Sequence, residues 1–166
     1  MNFVAEFIIM KTLSICLILF FAGIIVLPGC SKSGTLSNGM AASVQGGSSN
    51  NNTFSASGTS VTATEKTVTA AGISTINLVV TGTSLSGSII TLTINGFNDS
   101  LAVFGINSFQ VIASYTPGTG QKSVGSVSGT GAITITAISP YIQGSFGYAC
   151  TDGTEVSNGT FTVKAP

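Results

Sequence analysis

The chain reads as all-β, and the sheets it predicts are antiparallel. Three observations carry this. Apolar and polar residues alternate over short runs, the period of a half-buried strand. Gly, Asn, Asp and Pro interrupt those runs at intervals of roughly 8–12 residues, the spacing of a sandwich or barrel. Thr, Val and Ile fill the runs, as a pleated surface prefers, and helical spacing is absent beyond the N-terminal apolar segment.

That segment comes first. Leu13–Leu27 is uncharged and mostly apolar. A spanning helix needs about 20 such residues, so this shorter stretch reads as the apolar centre of a secretory signal, which wants a basic start and small residues before the cut. Lys11 supplies the charge if translation begins at Met10. Residues 2–9 contain Glu6 and no Lys or Arg, so Met10 rather than Met1 is the expected true start.

Leu27-Pro28-Gly29-Cys30 resembles the lipobox of bacterial lipoproteins. Leu27 sits three before the cysteine and the small Gly29 directly before it; Pro28 is the departure. The resemblance implies that signal peptidase recognises Leu27 and Gly29, that residues 1–29 are removed, and that Cys30 is lipidated and becomes the first residue. Acyl chains hold to a bilayer at about 0.8 kcal/mol per buried CH₂. The expected partner is therefore the membrane, through the N-terminal lipid. Ser31 resembles outer-membrane sorting, so the expected location is the cell envelope, at the outer membrane, with the face left open.

Residues 30–52 then read as the lipidated cysteine and a flexible tether, "SKSGTLSNGMAASVQGGSSNNN" after Cys30. A Gly/Ser-rich chain of this length spans about 26 Å r.m.s.. From Thr53 to the end the chain reads as one β domain, large enough for a real core. Ile76, Leu78 and Val80 alternate, as do Ile90, Leu92 and Ile94, and Ile133, Ile135 and Ala137. Ile142, Phe146, Tyr148 and Cys150 keep one phase with Gly144, and Phe161 and Val163 close the chain. Turn chemistry lies at Thr81–Gly87, Asn95–Asp99, Thr116–Gln121, Thr151–Gly153 and Asn158-Gly159. About eight or nine strands follow, in a sandwich of immunoglobulin-like type; the alternative is a small up-and-down barrel. Gly96–Ser108 is the longest irregular piece, and loops carry function more often than strands.

Gly131–Lys164 is similar to the C-terminal hairpins of an uncharacterised family of small Gram-negative β-rich lipoproteins. The shared pattern falls at Phe54-Ser55-Ala56, Gly131–Ile135, Gly144–Phe146 and Asn158–Val163. The resemblance implies fold and location, and no activity.

Composition excludes much chemistry. The chain has no His and no Trp, and its five basic residues are all Lys. Serine and cysteine nucleophile schemes built on an imidazole are closed, and zinc sites lack their ligands. Net charge is zero without a basic stripe, which argues against nucleic acid. After Cys30 the carboxylates are Glu65, Asp99, Asp152 and Glu155, and the hydroxyls number 43 Ser and Thr. Cys150 is the only cysteine past Cys30, so it has no internal disulfide partner there, and it reads as a small buried hydrophobe. Asp152 and Glu155 read as a hairpin tip.

No enzyme activity, metal or cofactor is expected. The candidate ligand loop is Phe97, Asn98, Asp99 and Phe104, with Ser100 in an Asp-Ser-Leu triplet that resembles periplasmic O-glycosylation motifs. The function expected is a non-catalytic binding or scaffold module on a membrane-anchored envelope lipoprotein, with an envelope protein or a glycan as partner. The alternative is a carbohydrate- or surface-binding adhesive module. It requires aromatic rings, Phe97 and Phe104 foremost, to converge on one open face.

Overall fold

Alternation in the sequence becomes two facing antiparallel sheets. The computed structural model describes residues 36–47, 52–70 and 73–166. Its strands are β1 (Gly39–Gln45), β2 (Asn52–Ser57), β3 (Val61–Ala70), β4 (Ile73–Thr83), β5 (Ile89–Asn95), β6 (Val103–Gly105), β7 (Val111–Thr116), β8 (Val124–Gly125), β9 (Ala132–Ala137), β10 (Tyr141–Ala149) and β11 (Glu155–Lys164). One sheet has the order β2-β1-β11-β10-β9-β6 and the other β3-β4-β5-β7-β8. Among the described residues both sheets have free edges, so this is a sandwich and not a closed barrel. The described residues hold eleven strands, two or three more than the eight or nine expected, because short or weakly patterned ones escape a reading of alternation. Successive strands pair as hairpins in β3–β4–β5 and β9–β10–β11. β1 against β11, β6 against β9 and β5 against β7 pair strands that are not consecutive, so the chain crosses between the sheets.

The inward face of each strand supplies the core. Leu78 and Val80, Ile90, Leu92 and Ile94, Ile133 and Ile135, and Ile142, Phe146, Tyr148 and Cys150 are all buried in one cluster. Each large side chain fully removed from water contributes about 1.5–3 kcal/mol. Hydroxyls occupy the outer face. Thr62, Thr81, Thr91 and Ser114 stand directly opposite one another across β3, β4, β5 and β7, which solvates the sheet without charged side chains.

Three sequence expectations are corrected. The tether expected over residues 30–52 contains β1, whose Met40, Ala42 and Val44 are buried between its neighbours β2 and β11. The β domain therefore starts before Thr53. Asn158-Gly159 is no turn: it lies inside β11, where two residues of β11 oppose one of β1 (Ala42) and two oppose one of β10 (Gly147). Asn158 takes φ 51 there, so its tolerance of the left-handed region makes a bulge rather than a hairpin. Ala137 falls out of phase because β9 shifts register against β10 between Gly144 and Gln143.

The bulge brings two repeated triplets together. Gly144-Ser145-Phe146 and Gly159-Thr160-Phe161 run antiparallel, with Gly144 opposite Phe161 and Phe146 opposite Gly159. Each ring lies over the other strand's glycine, and the two ring centroids are 6.3 Å apart. A Cβ at Gly159 would meet the Phe146 ring at 2.5 Å. Tyr148 continues the row, 6.4 Å from Phe146, and its hydroxyl donates across the sandwich to the Ser114 carbonyl at 2.9 Å.

Candidate functional site

The long segment after β5 crosses from one sheet to the other and returns. It lays β6 against β9 at the sheet edge, which corrects the expectation of an irregular piece throughout Gly96–Ser108. Backbone bonds pin it along its length: the Phe97 N–H donates to the Ile76 carbonyl at 2.7 Å, and the Ile106 N–H donates to the Gly131 carbonyl at 2.9 Å. Asn107 closes the return. Its side-chain oxygen accepts from the backbone N–H groups of Phe109, Gln110 and Val111 at 3.0, 2.5 and 3.2 Å. An Asx turn of this kind replaces ladder bonds that the crossing leaves unmade.

This scaffolding decides the fate of the expected loop residues. Phe97 is 2% exposed, within the core. Phe104 is half-buried against it, its ring 6.1 Å from that of Phe97 at 54°. With Phe97 closed to solvent and Phe104 packed against the core, the two rings do not converge on the open face expected of them. Tyr115 is buried as well, and Phe109, at 87% exposure, stands out alone. Asn98 and Asp99 are exposed. Ser100 is half-buried, and its hydroxyl donates to the Asn98 side-chain oxygen at 2.7 Å. The structure keeps these three polar residues adjacent at the surface but separates them from the buried rings.

Asp152 and Glu155 flank the β10–β11 turn. The Asp152 carboxylate accepts from the Thr154 backbone N–H at 2.9 Å and from the Thr154 hydroxyl at 3.0 Å, so it holds the turn. Among the described residues, no group of three or more His, Cys, Asp and Glu is placed to hold a metal. Cys150 is buried, and its thiol is pushed up to about 11, first by burial and then by the nearby Asp152 carboxylate. A thiol held protonated in this way is a poor nucleophile.

Alternation did not reveal a groove of about 630 Å³ along β2. One wall is Thr53, Ser55, Ala56 and Ser57 of β2 with Thr59 and Ser60 after it. The other is Thr83–Ser86 at the β4–β5 tip. A chain of hydroxyls stiffens that tip: Ser84 to Ser86 at 2.8 Å, Ser86 to Ser88 at 3.2 Å, and Ser88 donating to the Pro117 carbonyl at 2.6 Å. The lining carries hydroxyls together with Ala56 and the exposed Leu85 but no charge, so it suits an uncharged partner with both apolar and hydrogen-bonding groups. The sequence signal was the serine-rich "TSLSGS" at Thr83–Ser88.

Cys30, Leu27 and Gly29 lie outside the described residues. Comparison with known proteins finds no significant match to any family model, curated protein or solved structure.

Proposed function

We propose that the chain is an envelope lipoprotein, held at the outer membrane by a lipid on Cys30, whose β domain is a non-catalytic binding or scaffold module. The observation that carries this reading is Leu27-Pro28-Gly29-Cys30 at the end of an apolar stretch too short to span a bilayer comfortably. Support for a non-catalytic domain comes from a chain with no His and from a Cys150 thiol that is buried and held protonated. The hydroxyl-clad faces and the uncharged groove favour docking to another envelope component over chemistry on it.

The test is mass spectrometry of the N-terminal peptide recovered from membranes. An acylated Cys30 is expected, and Cys30→Ala should move the protein out of the lipid-anchored fraction. An intact Leu13–Leu27 segment in the membrane-held protein would replace the lipid anchor with a spanning helix. Protease treatment of intact cells then separates a surface-facing domain, which is cleaved, from a periplasmic one, which survives until the outer membrane is broken.

A further inference from the structure

We propose that two copies of this chain join edge to edge through β2, strand against strand and antiparallel, about a two-fold axis at Phe54. The inference stands on the β domain alone and needs no lipid anchor.

A sheet edge offers unpaired N–H and C=O groups to any extended strand, and proteins blunt their edges with very short strands, charges, Pro or bulges. Of the four sheet edges here, β6 has three residues and β8 two. β3 is long but carries the exposed charges Glu65 and Lys66. β2, Asn52-Thr-Phe-Ser-Ala-Ser57, has none of these devices, and among the described residues no strand pairs with its outer side.

Three hydrogen bonds reveal which backbone groups are free. The Gly58 N–H donates toward β1, to the Asn38 carbonyl at 2.9 Å. Backbone direction alternates along a strand, so Asn52, Phe54 and Ala56 also face β1, while Thr53, Ser55 and Ser57 face away. Ser57 is already closed: its N–H donates to the Ser60 hydroxyl at 3.1 Å, and that hydroxyl donates back to the Ser57 carbonyl at 2.7 Å. Thr53 and Ser55 remain, each with one outward donor and one outward acceptor that no described residue meets.

That pair is self-complementary. In an antiparallel pairing centred on Phe54, Thr53 of each copy lies opposite Ser55 of the other, and the two pairs exchange four backbone bonds. The Ser57–Ser60 closure is left intact. Phe54 meets Phe54 on the inward side, and Thr and Ser meet on the outward side, so the pleat stays in phase. A Thr–Ser pair across strands adds its own hydrogen bond. With zero net charge and no charged residue in the groove wall, copies do not repel one another. These features favour a second copy as the occupant.

The test is sedimentation equilibrium of the full chain in density-matched mild detergent, with amide exchange read at Thr53 and Ser55. A doubled mass and slowed exchange at both amides are expected. Ser55→Pro removes an N–H that faces outward, a position where an edge strand tolerates Pro; Thr53→Lys adds a charge to the edge. Both should give monomers that keep the parent far-UV circular dichroism, while Ser145→Lys, on the exposed face of β10, should remain dimeric. A parent chain that is monomeric at every concentration would overturn the proposal. So would a dimer that survives both edge variants, since another surface would then hold it. Thr53 and Ser55 amides protected only in membranes containing other envelope proteins would overturn it too, in favour of a foreign strand.

Discussion

Tyr148 and Cys150 show how burial turns single groups into a pH response. Burial drives the Tyr148 phenol well above its ordinary 10.0, with Cys150 and then Tyr115 adding to the shift. The Cys150 thiol rises from 9.0 to about 11. Both groups are neutral when protonated, so the folded state keeps protons that the unfolded state releases. Stability therefore falls as pH rises through that window. The Cys150 contribution is whole below pH 9 and is lost between pH 9 and about 11; that of Tyr148 is lost from pH 10 upward. Thermal midpoints should stay level to about pH 8 and then drop. Cys150→Ala should remove the part of the drop that begins nearest pH 9, and Tyr148→Phe the later part. Midpoints that fall equally in the parent and both variants would place the alkaline sensitivity elsewhere. Tyr148→Phe should also cost about 1 kcal/mol at neutral pH, because the bond from the phenol to the Ser114 carbonyl is lost.

At the scale of the element, the β10–β11 hairpin is the part most legible in the sequence and also the place where a local rule misled. Gly144, Phe146, Tyr148 and Cys150 fall on the inward face their phase predicts. Asn158-Gly159 carries the strongest short-range hairpin signal there is, yet it sits mid-strand because β1 and β10 pair with β11 on both sides of it. Only the third dimension distinguishes a left-handed Asn that turns a chain from one that bulges it. The rings expected to bind were misplaced for a related reason. Phe97 lies one residue past a Gly in a loop-like stretch, and nothing local says that a backbone bond to Ile76 will draw it into the core. The hairpin makes a sharp prediction of its own. Gly159→Ala drives a methyl into the Phe146 ring and should cost about 1–3 kcal/mol by denaturant midpoint. Phe146→Leu should cost less in that background than in the parent, since it clears the clash. Additive effects of the two changes would mean that the ring does not rest on the glycine.

At the scale of the whole molecule, the decisive strand is the one the composition conceals. β1 lies in a stretch rich in Gly, Ser and Asn whose only large apolar residues between Leu36 and Asn52 are Met40 and Val44. It reads as a tether because its alternation, Met40-x-Ala42-x-Val44, is brief and half made of a methyl group. Yet β1 joins β2 to β11, and Met40 reaches across the sandwich to Gly82 of β4, where a Cβ would meet its sulfur at 2.7 Å. Asn38, just before β1, ties the surroundings together: its side chain donates to the Val61 carbonyl at 3.0 Å and accepts from the Lys164 N–H at 2.8 Å. Without β1, β2 has no neighbour in its sheet, β11 becomes an unpaired edge, and the core loses Met40, Ala42 and Val44. Burial of Met40 and Val44 alone is worth about 1.5–3 kcal/mol each, a large share of the 5–15 kcal/mol that holds a domain. A chain beginning at Leu36 should therefore unfold in one cooperative transition with dispersed amide resonances. A chain beginning at Thr53, the boundary composition suggests, should show neither. If the Thr53 chain folded with the same cooperativity, β1 would be an ornament on a sandwich complete without it, and the six-stranded sheet would have to be redrawn with β11 at its edge.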